Sequence, residues 1–145
     1  MRAPTIGAVL IVGAGIGYVL AGLTWARILQ VPYVVVLLYM CSMMFGWIPV
    51  IRLYRQFAKA NPESSVHSRP LEYAPHWSRL LACSSFGIPA AIAIWMGGTT
   101  EVAFSDPRDA APWEVAVFFM YLAAFWLFAM PWLLSIHRRS LLAMR

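Results

Sequence analysis

A run of Ile and Val leads into Gly13-Ala14-Gly15-Ile16-Gly17, much as a strand leads into a glycine turn that cradles a phosphate. That chemistry needs more than glycine. The dinucleotide fingerprint has a third glycine where helix and strand approach closely, and Tyr18 stands there. It also wants a carboxylate about 20 residues further on for the ribose, but residues 33–40 read YVVVLLYM. The surrounding block, Ala3–Ala26, carries no charge, so a phosphate would meet neither a cation nor a solvated mouth. These glycines serve another purpose.

Other residue types with chemical potential are also poorly placed for it. Glu63-x-x-x-His67 and Glu72-x-x-x-His76 repeat a carboxylate–histidine spacing that would put each pair on one helix face, but Pro62, Pro70 and Pro75 break the segment. The spacing reads as chance on a solvated loop, and no metal is expected. Haem between membrane helices would need histidines well inside apolar blocks. His67 and His76 lie outside them, and His137 adjoins Arg138 and Arg139. Cys41 and Cys83 lack the C-x-x-C spacing of disulfide exchange. At 1.5 Å per residue they lie about 15 Å and about 5 Å from the same end of their blocks, and a bridge needs alpha carbons within about 7 Å. Both are expected as small packing residues. Without a nucleophile–base pair, buried charge or cofactor ligand, the chain reads as non-enzymatic, with no cofactor and no nucleic-acid partner.

The elements that carry these residues follow from composition. Of 145 residues, 61% are hydrophobic and 12% charged, with a mean hydropathy of +0.69; a soluble domain is nearer a quarter charged. The apolar residues fall in charge-free blocks at Ala3–Ala26, Gln30–Ile51, Leu80–Thr100 and Val115–His137. Each has roughly the 20 residues that cross about 30 Å of hydrocarbon as a helix. The expected fold is an all-α membrane protein, a single domain over 1–145 with four transmembrane helices in a bundle. The spans are about 5–26, 31–51, 80–98 and 113–136, joined by a cytoplasmic loop 52–79 and an outer loop 99–112. The first apolar block is too long for a signal peptide and lacks a convincing cleavage site, so it is read as a retained span.

On a helix, the opening glycines become a packing surface. Gly13, Gly17 and Ala21 form a row of small residues that lets another backbone approach, and Gly7, Ala14, Gly15 and Gly22 widen it. Val9, Val12, Ile16, Val19, Leu20 and Leu23 form the opposite arc, expected to face lipid. Pro89 and Pro131 should bend helices 3 and 4. Helix 4, with Phe118, Phe119, Tyr121, Phe125, Trp126 and Phe128, suggests lipid on one side and a partner on the other.

Charge sets the orientation. Nine Lys and Arg residues fall before helix 1, between helices 2 and 3, or after helix 4, against Arg27 and Arg108 on the other side. The positive-inside rule puts both termini in the cytoplasm, with the chain integral to a plasma membrane, the bacterial inner membrane being the expected case. The residues through Ala60 can continue helix 2, with Arg52, Arg55 and Lys59 near anionic head groups. The same loop is more aromatic than a spacer needs, making Tyr54, Phe57, Tyr73 and Trp77 candidate partner-binding residues. The outer loop, with a turn at Asp106-Pro107, is a second candidate surface. The expected function is to bind another membrane protein as an accessory, assembly or inhibitory subunit, the immunity type included. The alternative is a small homo-oligomeric transporter or channel, its pathway lined by Ser42, Ser84, Ser85 and Pro89. Expected partners are the lipid bilayer and another membrane protein or copies of itself.

Overall fold

Hydrocarbon offers the backbone no hydrogen-bonding partner, so a charge-free segment satisfies its N–H and C=O groups internally by forming a helix. The computed structural model describes residues 3–28, 32–60, 73–96 and 111–142. They form α1 (Ala3–Trp25), α2 (Tyr33–Ala60), α3 (His76–Trp95) and α4 (Pro112–Leu142), each long and apolar enough to span a membrane. The helices overrun the expected spans at charged ends. Charge marks where an apolar block stops, but Arg and Lys are good helix formers and can carry the helix beyond it. Thus α2 continues past Arg52 to Ala60, α3 begins directly after Pro75 and four residues before the expected span, and α4 continues to Leu142.

The described ends are built locally. Beyond α1, the N–H of Arg27 bonds the Thr24 carbonyl at 3.0 Å and that of Ile28 bonds the Leu23 carbonyl at 3.0 Å. This closing turn requires a left-handed residue, normally glycine, and Arg27 supplies it at φ 57°. The Pro32 carbonyl accepts from the N–H of Val35 at 2.9 Å as α2 begins, and the proline ring suits a helix entry. Glu114, in the first turn of α4, accepts a hydrogen bond from the Ala111 N–H at 2.8 Å. A carboxylate there also complements the helix dipole.

The helix α4 is the hub. Its most extensive interface is with α1, then α3, then α2, while α1 and α2 meet over a small area. Opposed residues set the directions. Gly7 faces Leu133, Gly13 faces Trp126 and Gly17 faces Ala123, so α1 runs antiparallel to α4. Tyr39 packs near Phe119 and Tyr54 near Trp132, so α2 runs parallel to it. Tyr73, just before α3, lies under Arg139 at the end of α4, and Phe86 reaches Phe125, so α3 is antiparallel. The start of α1, end of α2, start of α3 and end of α4 therefore share one end of the bundle. Arg52, Arg55, Lys59, Arg79, Arg138 and Arg139 gather there, and Arg27 lies at the opposite end.

Burial encloses α4 more fully than the expected lipid-facing and partner-facing sides imply, leaving Phe125 and Phe128 as its exposed aromatic residues. Ala116, Phe119, Ala123, Ala124 and Ala129 are fully enclosed, and its aromatic residues are divided among three neighbouring helices. The small alanines let those helices approach closely. Against them α3 presents an equally small face of Ser78, Ala82, Ser85, Pro89 and Ala93. Pro89, Pro131 and also Pro49 lie within helices, and Pro89 is fully buried in the α3 face.

Candidate functional site

The row Gly13, Gly17 and Ala21 is buried, and it receives side chains from two helices. A methyl group on Gly13 would lie 2.5–2.7 Å from three atoms of the Trp126 indole. One on Gly17 would lie 2.9 Å from the Ala123 Cβ and would collide with the Tyr39 hydroxyl. That hydroxyl donates a hydrogen bond to the Gly13 carbonyl at 2.8 Å. A methyl group on Gly46 of α2 would run into the other edge of Trp126. The indole thus fills a slot lined by two glycines, and α1, α2 and α4 meet on it. Trp126 Nε1 is buried without a hydrogen bond of ordinary geometry, the Tyr39 hydroxyl being the polar group it interacts with.

The wider small surface needs correction. Gly7 and Ala14 are buried, but Gly15 and Gly22 are exposed with no atom near enough to touch an added methyl group. They lie on the opposite side of α1 from Gly13 and Gly17. On the proposed lipid arc Val9, Val12, Ile16 and Val19 are exposed, but Leu20 is half-buried against the core and Leu23 is half-buried. Cys41 and Cys83 are both exposed rather than packed within the bundle.

The four candidate partner-binding residues lie at one end of the bundle and differ in exposure. Tyr54 is half-buried, edge-on to Trp132 with ring centroids 5.5 Å apart. Phe57 is half-buried on the same helix. Tyr73 lies beneath the Arg139 guanidinium, 4.2 Å from its ring centre, a cation–π contact that ties the approach to α3 onto the end of α4. Trp77 alone stands well clear, at 56% exposure.

The three serine hydroxyls proposed to line a pathway turn back on their own helices. Ser42 donates to the Tyr39 carbonyl at 2.7 Å, Ser84 to Leu81 at 3.1 Å and Ser85 to Ala82 at 2.8 Å. Ser42 and Ser84 are exposed on different helices, whereas Ser85 and Pro89 are buried on α3. Among the described residues, no group of three or more His, Cys, Asp or Glu gathers in metal-binding fashion. Glu63, His67, Glu72 and most of the outer loop, including Asp106-Pro107, lie outside the described residues.

The aromatic surface expected of helix 4 narrows to one strip where α4 comes to the surface. Phe125 and Phe128 are 44% and 41% exposed, the exposed aromatic residues of α4. Phe86 of α3 packs edge-on to both, with centroids 5.2 and 5.9 Å away, and Trp47 of α2 stacks on Phe128 at 6.4 Å. The aromatic content of α4 was the available signal, but only the packing identifies which rings remain open. The chain matches no family model, no curated protein and no solved structure.

Proposed function

We propose that this chain is a non-enzymatic integral membrane protein that binds another membrane protein, as an accessory, assembly or inhibitory subunit. In this reading it lies in a bacterial inner membrane with both termini and residues 52–79 in the cytoplasm. The observation that favours binding over passage is the disposition of the candidate pathway serines. A permeating solute needs polar groups that converge on one path and replace its water. Ser42, Ser84 and Ser85 instead each donate to the carbonyl three residues back. The open aromatic strip at Phe86, Phe125 and Phe128 gives the reading a surface within the membrane, since binding energy concentrates on aromatic anchors.

The protein extracted in mild detergent should carry a stoichiometric foreign membrane protein in native mass spectrometry. A clean homo-oligomer without one would favour the transporter alternative. Ser84→Ala with Ser85→Ala should leave partner recovery unchanged, each hydroxyl contributing only about 0.6 kcal/mol. Trp77→Ala should reduce recovery at normal membrane levels. It is the informative aromatic to change, because Tyr54 and Tyr73 are engaged within the chain. Loss of function from the serine pair with the partner retained would overturn the binding reading.

Orientation has its own test. With Cys41 and Cys83 replaced by alanine, a cysteine at Ser65 should react with impermeant thiol reagents only after the membrane is opened. One at Ser105 should react in spheroplasts. Labelling at Ser65 from outside would invert the topology.

A further inference from the structure

The last turns of α2 carry a feature that stands apart from the partner-binding reading. The helix is continuous from Tyr33 to Ala60, so the height of each side chain beyond the apolar block is set by helix rise. Arg52 follows Ile51 directly; Arg55 lies about 5 Å further along the axis and Lys59 about 10 Å. A headgroup layer is about 5–8 Å deep on each side of the hydrocarbon. Arg52 and Arg55 therefore fall within that layer, and Lys59 at its aqueous edge can bend its long side chain back into it. At 3.6 residues per turn, the three cations lie within about 60° of arc.

All three are exposed, while Leu53 and Tyr54 turn toward the bundle, Tyr54 against Trp132. The cations thus face outward, away from the bundle. Among the described residues the single carboxylate is Glu114, at the opposite end and bonded to the Ala111 N–H. The exposed Arg138, beyond the α4 span, adds to the charge at the same end.

We propose that Arg52, Arg55 and Lys59 form a headgroup-binding stripe that selects anionic phospholipids over zwitterionic ones. The recognised chemistry is a phosphodiester with uncompensated negative charge, presented at the depth of the headgroups. An acidic protein segment would need to reach the same cations through the lipid layer, so the height of Arg52 and Arg55 favours the lipid.

The test uses the delipidated full chain in detergent, where orientation is immaterial, titrated separately with phosphatidylglycerol and phosphatidylcholine and read by native mass spectrometry. A cation near a membrane surface contributes about fivefold to anionic binding, so the three together should give a preference of about a hundredfold. Arg52→Gln with Arg55→Gln and Lys59→Gln should reduce it to about fivefold or less. Arg27→Gln, at the opposite end, should leave it intact. Helical circular dichroism verifies that each variant is folded, and single substitutions replace the triple if it is not. Soluble glycerol phosphate at millimolar concentration should not displace the lipid. Equal affinity for the two lipids in the wild type would overturn the proposal, as would displacement by glycerol phosphate or an Arg27→Gln loss equal to that of the triple variant.

Discussion

Gly13→Leu should be strongly destabilising, whereas Gly15→Leu and Val19→Leu on the same helix should be almost silent. The first added carbon at Gly13 already falls 2.5–2.7 Å from the Trp126 indole, and leucine adds three more. The indole is also crowded by Gly46, where an added carbon would likewise collide with it. Either α1 moves away from α4 or the indole leaves its place. Moving α1 also disrupts the hydrogen bond from the Tyr39 hydroxyl to the Gly13 carbonyl. Overpacking typically costs 1–3 kcal/mol, and a site crowded from two helices should lie near about 3 kcal/mol. Val19 is 61% exposed, and an added side chain at Gly15 meets nothing within the chain. Titration of the purified variants with dodecyl sulfate in a mild detergent, followed by circular dichroism, gives the midpoints. Equal midpoints for Gly13→Leu and Gly15→Leu would mean that the close α1–α4 contact is absent.

The pair Gly13 and Gly15 also marks where the sequence stops being informative. The four long apolar helices are legible because charge interrupts apolar sequence, a one-dimensional rule that Arg27, Arg52 and Arg79 make visible. The row Gly13, Gly17 and Ala21 is legible from helical periodicity. Periodicity does not distinguish a small residue that receives a neighbour from one that faces outward, which is why Gly15 and Gly22 were grouped with the packing surface. In water, polarity would separate the two faces. In lipid, both are apolar, and exposed Phe45 and Met44 are of the same character as buried Phe119 and Leu10. The hub role of α4 is hidden for the same reason. Its aromatic content is visible, but the glycines that admit Trp126 lie on two other helices, and Gly46 is far from it in sequence. Tyr54 and Tyr73 show the same limit outside the spans. Their composition resembles a binding surface, whereas Trp132 and Arg139 of the same chain occupy them.

The opposite change at this slot, Trp126→Ala, should be about as costly as Gly13→Leu and should relieve part of the effect of the glycine substitution. Removing the indole empties a space enclosed by three helices. In soluble cores, replacing Phe or Trp by Ala costs about 3–5 kcal/mol, partly from transfer to water and partly from the cavity. Lipid solvates an indole in separated helices, so the transfer part shrinks while the lost packing contacts remain. The expected loss is about 2–4 kcal/mol. Trp126→Phe should lose less, because an aromatic ring still fills much of the slot and the indole N–H forms no well-shaped hydrogen bond. In the Trp126→Ala background the Gly13→Leu side chain enters vacated space. The double variant should therefore be more stable than the sum of the two single losses allows, with a coupling of at least about 1 kcal/mol. The same dodecyl sulfate titrations on the wild type, both single variants and the double variant measure it. Simple additivity would show that Gly13 and Trp126 do not share a slot, and α4 would lose its place as the centre of the bundle.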